Sequence, residues 1–197
     1  MQKRGFMPPK VKITKEDIIR TAVDLVRQRG IDAINARAIA TALSCSTQPI
    51  FSNFATMDEL LYDVLGAAQQ CCIEYMEREV ASGRYPAYKA NGMAYIRFAK
   101  EEKELFKLLY MRDRSCEPST LDFRIEPAVE VLMNSTGFDF DTAEKIHLSM
   151  WACVHGFATM SASNFVEIPD EIISDALSDI YISLITRMRG KQDEKNN

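Results

Sequence analysis

Apolar residues recur at helical spacing along almost the whole of this 197-residue chain. Glycine (8) and proline (7) are both few, and the alternation of apolar and polar residues that favours strands occurs only in the short segment 10–14. We therefore predict an all-α protein. Its hydrophobic content of 47% and charged content of 26% are typical of a folded chain and exclude wholesale disorder.

Capping residues and breakers divide the chain into a series of helices. Thr14, Asn35 and Ser46 are predicted to cap the first three helices, and Gly30 is placed to end the first. Pro127 is expected to kink or split a later helix. The predicted helices are 15–29, 36–42, 47–53, 58–80, 87–100, 103–112, 119–134, 142–163 and 170–189, followed by a disordered polar tail at 191–197.

The first three predicted helices have the layout of a helix-turn-helix unit. Their apolar side chains can form a small shared core, which leaves the outer face of the third helix free to enter the major groove of DNA. The residues of this predicted core are Ile18, Ala22, Ile34, Ile39, Leu43, Ile50 and Phe54.

Polar residues at the start of the third helix are suited to reading DNA bases. The Gln48 amide can bond adenine through two hydrogen bonds, and the Thr47 methyl group can pack on thymine. Asn35 and Arg37, at the start of the second helix, are predicted to clamp phosphate. The full set of predicted DNA-binding residues is Asn35, Arg37, Ser46, Thr47, Gln48, Pro49, Phe51, Ser52 and Asn53.

The charge of the chain is divided between its two parts. Residues 1–57 carry nine basic and four acidic side chains, a balance of +5, whereas the remaining 140 residues carry 15 basic and 24 acidic ones, a balance of −9. A basic head on an acidic body favours a polyanionic partner for the head alone. A solvated basic face without a partner is the alternative.

At this point the N-terminal sequence resembles a known family, the TetR/AcrR-type transcriptional regulators. The resemblance covers about residues 13–65 and is carried by the runs GIDAINARAIA at 30–40, STQPIFSNF at 46–54 and DELL at 58–61. It implies a helix-turn-helix domain at 13–56 behind a flexible basic arm at 1–12, and a helical effector-binding and dimerisation domain at 57–190.

Three residues depart from the usual family pattern. Phe51 stands where the family usually has a phosphate-contacting Tyr, Met57 where it usually has Lys, and Ser44 where it usually has Gly. The two lost phosphate contacts are expected to weaken DNA binding. The basic arm is expected to compensate in part through Lys3, Arg4, Lys10 and Lys12.

The resemblance also implies how such a protein works. It implies a homodimer that binds a palindromic operator, acts as a repressor and is released by a small-molecule effector that changes the separation of the two recognition helices. Trp151, His155 and Gly156 resemble a Trp-His-Gly signature of one subset of the family. We interpret Gly156, inside a helix, as a point of close packing by another helix.

Aromatic, Met and aliphatic residues of the body are candidates to line a cavity for a small apolar or aromatic effector. Plain core packing is the alternative for this set, and for His155 the alternative is a buried histidine bonded to a backbone carbonyl. The candidate effector residues are Tyr75, Met93, Ile96, Phe106, Tyr110, Phe123, Trp151 and His155.

The last helix is apolar on more than one face and is predicted to form the dimer seam together with the Trp151 helix. Folding back onto its own domain is the alternative. The stripe consists of Ile173, Leu177, Ile180, Leu184 and Met188, widened by Ile172, Ala176 and Ile185.

Other classes of function find no support in the sequence. The five cysteines form no C-x-x-C pair, the two histidines lie in no Cys/His cluster, and catalytic motifs are missing, so we expect no metal, no cofactor and no enzyme. No apolar run is long enough to span a membrane and no signal peptide is recognisable, which favours a cytoplasmic protein. A ligand-independent, DNA-tethered interaction module and a helical ligand carrier without DNA function are the alternatives.

Overall fold

The computed structural model describes residues 13–113 and 125–196 of the chain. The predictions made for the basic arm at 1–12, for Phe123 and for the start of the predicted helix at 119 therefore lie outside the described residues. Within the described ranges the secondary structure is helical, without a strand, and this confirms the all-α prediction.

The helices follow the predicted order along the chain. In the described ranges they are α1 (Lys15–Arg29), α2 (Ala36–Ala42), α3 (Gln48–Asn53), α4 (Met57–Ser82), α5 (Ala87–Glu101), α6 (Lys103–Tyr110), α7 (Ile125–Thr136), α8 (Phe140–Ala162) and α9 (Asp170–Asn196), with a 3-10 turn at Ile31–Ala33. None of the described helices is both long and apolar enough to cross a membrane.

The chain forms two compact units that divide within α4, one ending at Ala67 and the other beginning at Ala68. This division lies later than the predicted domain boundary at residue 56. The reason is that the first turns of α4 belong to the core of the first unit, where Leu60 and Val64 are fully buried.

The caps of α1 and α2 are formed by the predicted side chains. Thr14 and Asp17 form a reciprocal capping box at the start of α1, and Gly30 ends that helix with a φ of 78°. The Asn35 side chain accepts a hydrogen bond of 2.9 Å from the Ala38 amide. The predicted Ser46 cap of α3 is wrong, because Thr47 takes that position and caps through its backbone alone.

The core of the first unit is formed by the residues that the helical spacing predicts. Ile18, Ala22, Ile39, Ile50 and Phe54 are all buried. Ile34 and Leu43, which belong to the same predicted set, are half-buried. One face each of α1, α2 and α3 is thereby fixed inward, and their other faces are left to solvent.

The second unit is centred on α5 and α8, which pack along each other, while α7 and α9 pack on α8 and α6 packs on α5. Tyr88 of α5 bonds His147 of α8, and Tyr95 bonds His155, so the two helices run in the same direction. They approach closely at Gly92, where an added Cβ would lie 3.2 Å from Val154 Cγ2.

Among the described residues of its own chain, no helix approaches Gly156 closely, so the close packing expected there stays a prediction. An added Cβ there would meet none of the described atoms within 4 Å. The close approach of helices that a glycine permits is found at Gly92 instead.

Two helix ends also differ from expectation. α9 continues to Asn196, beyond the predicted end at Arg189 and through most of the predicted disordered tail, because the added residues include good helix formers such as Lys and Gln and no breaker. Pro127, expected from sequence to kink or split its helix, lies in the first turn of the described part of α7 and not in its interior.

Candidate functional site

Helix α3 presents one buried and one exposed face. Ile50 is fully buried, whereas Phe51, the next residue, is 54% exposed. Gln48 and Ser52 are exposed as well, and Thr47, Pro49 and Asn53 are half-buried. The polar tip of the predicted recognition helix is therefore open on the surface of its own unit.

Hydrogen bonds within α3 distinguish the polar side chains of this face. The Ser52 hydroxyl donates to the Gln48 carbonyl at 2.8 Å, and the Asn53 amide donates to the Pro49 carbonyl at 2.7 Å. The Gln48 amide has no hydrogen-bond partner among the described residues. Gln48 can thus offer both its donor and its acceptor to a base edge, whereas Ser52 and Asn53 have one donor already engaged.

Of the two predicted phosphate contacts at α2, only Arg37 has a free charged group. The Asn35 side chain caps the helix, so it holds the first turn in place. Arg37 is exposed and forms no ion pair with a described residue, whereas Lys15 and Arg20 are paired with Asp63 and Asp17. Arg37 is therefore available for a phosphate oxygen.

In the second unit, four of the predicted effector residues form one aromatic cluster between α6 and α8. The Trp151 and His155 rings are stacked, with centroids 4.9 Å apart and planes inclined by 12°. The Phe106 ring lies 5.8 Å and the Tyr110 ring 6.3 Å from the His155 ring. The i, i+4 spacing on α8 and on α6 brings each pair onto one helix face.

Tyr95 joins this aromatic cluster, and the sequence reasoning missed it. Its hydroxyl lies 3.0 Å from His155 Nδ1, and its ring lies 5.5 Å from Phe106 and 5.2 Å from Tyr110. The alternative reading of His155 as bonded to a backbone carbonyl is wrong at Nδ1, which faces this hydroxyl. A signal was present in the spacing, since two tyrosines seven residues apart on α5 can meet two histidines eight apart on α8.

Burial keeps the Tyr95–His155 pair uncharged at neutral pH. It lowers the pKa of His155, because the imidazolium cation is disfavoured away from water. It also raises the pKa of Tyr95, chiefly because the phenolate is disfavoured for the same reason. The aromatic cluster thus offers hydrogen-bonding atoms without a net charge.

The remaining described candidates are Tyr75, Met93 and Ile96. The Tyr75 hydroxyl donates to Glu101 Oε2 at 2.8 Å and its ring meets Phe98 edge-on at 5.5 Å. Burial and the Glu101 carboxylate raise the pKa of Tyr75 to about 12. Met93 and Ile96 are 2% and 1% exposed and belong to the core of the second unit.

A second tyrosine–histidine pair lies about two turns away along the same helices. The Tyr88 hydroxyl is 3.0 Å from His147 Nδ1, and the Tyr181 ring of α9 lies 5.9 Å from the Tyr88 ring. Burial lowers the pKa of His147, as it does for His155.

The architecture of this chain is similar to that of known proteins. Residues 88–182, which contain the whole aromatic cluster, match the family model described as "Tetracyclin repressor-like, C-terminal domain". The fold is that of TetR-like regulators. A TetR-like transcriptional regulator from Rhodococcus sp. RHA1 superposes with a TM-score of 0.61 at 21% identity, covering 93% of this chain and 98% of that one.

A second similar structure is a member of the TetR family from Streptomyces coelicolor A3. It superposes with a TM-score of 0.60 at 18% identity, over 84% of this chain and 96% of that one. No curated protein sequence matches the chain significantly. At these identities the structural likeness establishes the fold, and the function has to be argued from the residues of this chain.

Proposed function

We propose that the protein is a DNA-binding transcriptional regulator that reads its operator with α3. The observation that carries this proposal is the division of α3 into a fully buried side at Ile50 and an open side at Gln48, Phe51 and Ser52. A helix anchored from behind with its polar residues outward can enter the major groove without rearrangement of its unit.

Each residue of the surface has a distinct part in this reading. Gln48, with its amide unengaged, bonds an adenine, and the Thr47 methyl group packs on a neighbouring thymine. Arg37 binds a phosphate and sets the position on the duplex. Asn35 acts indirectly, because its side chain holds the first turn of α2 that carries Arg37.

A binding assay with a selected duplex tests the proposal. The wild-type protein selects a preferred site from a random duplex library, and affinities for that site and for random duplex are then compared at one stated salt concentration. Gln48→Ala should cost about 1–3 kcal/mol on the selected site and little on random duplex. Gln70→Ala, the same change at an exposed position of α4, should cost nothing on either.

The outcome that contradicts the proposal is equally concrete. If the library yields no enriched sequence, or if Gln48→Ala changes neither affinity, α3 does not read DNA. The helical carrier without DNA function would then be favoured.

We further propose that a small, uncharged aromatic or apolar effector binds at the aromatic cluster and relieves DNA binding. The stacked Trp151 and His155 rings and the neutral Tyr95–His155 hydrogen bond support this, because they combine apolar surface with hydrogen-bonding atoms and no charge. Trp151 is the single tryptophan of the chain, so its fluorescence reports on this cluster alone. Neutral aromatic compounds that quench it should also release the selected duplex; if none that quenches does so, the ligand-independent module is favoured.

The dimer is proposed to form through α8 and α9. Leu148 of α8 and Ile182 of α9 are 53% and 60% exposed, and the position of Gly156 is open. The predicted stripe on α9 is divided, since Ile173 and Leu177 are buried within their own unit while Leu184 and Met188 are only half-buried. The later part of α9 therefore supports the seam, and the earlier part belongs to the core.

A further inference from the structure

The Lys15 ammonium group makes three contacts inside the first unit. Its Nζ atom lies 2.8 Å from Asp63 Oδ2 and 4.0 Å from Glu59 Oε1. It also lies 4.9 Å from the centre of the Phe54 ring, in cation–π geometry. The hydrogen bond to Asp63 raises the pKa of Lys15.

Lys15 and its partners belong to three different elements. Lys15 is the first residue of α1, and Asp63 lies in the second turn of α4. Phe54 ends α3, is 1% exposed, and its amide donates to the Ile50 carbonyl. One ammonium group thus joins the start of α1, the end of the recognition helix and the beginning of α4.

Arg20, another paired cation of α1, makes no such connection among the described residues. It is bonded to Asp17 at 2.5 Å, three residues away on the same helix. A pair of this kind supports its own helix. From sequence, Lys15 and Arg20 count alike as basic residues of the first 57, and the structure separates them.

We propose that Lys15 is a positioning residue for DNA reading, which sets the orientation of α3 against α4 and makes no phosphate contact itself. This inference rests on the proposed function of α3. The Lys15 ammonium group is already engaged by two carboxylates, which compete with any phosphate for it. Removing Lys15 would leave Phe54 without its cation–π contact, and Phe54 ends the helix that begins with Gln48.

Two substitutions of opposite charge test the proposal. Lys15→Met removes a positive charge and Asp63→Asn removes a negative one, so bulk electrostatics predicts weaker DNA binding for the first and stronger binding for the second. Positioning predicts that both lower the affinity for the selected duplex, by roughly tenfold, about the effect of losing one base contact. Both should leave the affinity for random duplex within about twofold.

The salt dependence separates positioning from direct contact. A lost phosphate contact lowers the slope of log affinity against log salt by about 0.9, and we expect Lys15→Met to leave that slope unchanged. Lys15→Arg, which keeps the cation, should restore most of the specific affinity. Arg20→Met, which removes one charge from the same helix, should leave the ratio of specific to random affinity unchanged.

Each result decides the matter. The positioning role is overturned if Lys15→Met and Asp63→Asn change the affinity for the selected duplex in opposite directions. It is also overturned if Lys15→Met lowers the slope of log affinity against log salt by about 0.9. Neither result contradicts the reading of DNA by α3. Failure of the wild type to select any sequence overturns the proposed function itself. Circular dichroism shows whether the variants are folded, and if Lys15→Met is not, Asp63→Asn decides by its direction alone.

Discussion

At the scale of single residues, the proposed DNA-binding surface depends on which polar groups are already engaged. Asn35, Ser52 and Asn53 have the residue types of a DNA-reading surface, yet each has at least one hydrogen-bonding atom occupied within its own helix. Gln48 and Arg37 are open by the same measure. Residue type alone could not separate these two groups, because the choice depends on rotamers that local packing sets.

The first prediction concerns the missing cation at the start of α4. Met57, the first residue of that helix, is half-buried. The family that the N-terminal sequence resembles usually has Lys at this position. Met57→Lys should tighten binding to selected and random duplex alike and steepen the salt dependence by about 0.9 in slope. Filter binding over a salt series measures both quantities. A tighter complex with an unchanged slope would show that the new ammonium group does not reach a phosphate.

At the scale of helices, most bounds could be predicted because their signals are local. Thr14 and Asp17, Asn35 and Gly30 act within one turn of the helix ends that they fix, and the structure has those ends where the sequence places them. The Tyr95–His155 bond could not be predicted in this way, since it depends on how far α5 is shifted along α8. Gly156 poses the same difficulty, because a glycine in a helix does not say which neighbour approaches it, and no described part of its own chain does so.

The second prediction concerns the turn between α2 and α3. Ser44 has a φ of 53°, in the left-handed region that favours glycine. A residue with a Cβ is strained in this region by about 1 kcal/mol. The family that the N-terminal sequence resembles usually has Gly at this position. Ser44→Gly should therefore raise the free energy of unfolding by about that amount without changing DNA specificity. Chemical denaturation followed by circular dichroism measures the change, and a loss of stability would contradict it.

At the scale of the whole molecule, the third prediction concerns the proposed dimer. An added Cβ at Gly156 meets no described atom within 4 Å, so Gly156→Phe should fold normally and yet shift the protein from dimer to monomer if a partner covers α8 there. Light scattering after size exclusion measures the mass. Gly66→Phe adds the same ring at another open helix position, on α4, and should leave the mass unchanged. A dimeric Gly156→Phe protein would exclude this part of α8 from the seam.

The fourth prediction concerns pH. Burial lowers the pKa values of His147 and His155 below the ordinary 6.5. Just below pH 6.5 these histidines are therefore protonated more in the unfolded state than in the folded state, and the folded protein binds fewer protons. Their contribution to stability is complete above about pH 6.5 and is lost as the pH falls through the lowered values. The thermal midpoint should drop between pH 7 and pH 5. A His147→Asn, His155→Asn double variant should show a smaller drop, and an equal drop would assign the effect to other groups.

The two tyrosine–histidine bonds also limit how the second unit can move. They lie about two turns apart along the same pair of parallel helices, so a slide of α8 by one turn, about 5.4 Å, would break both at once. The two bonds therefore oppose sliding of α8 along α5, and the two helices are expected to move as one rigid body. A disturbance that begins at Trp151 is therefore expected to tilt α5 and α8 together, with both bonds intact at its end.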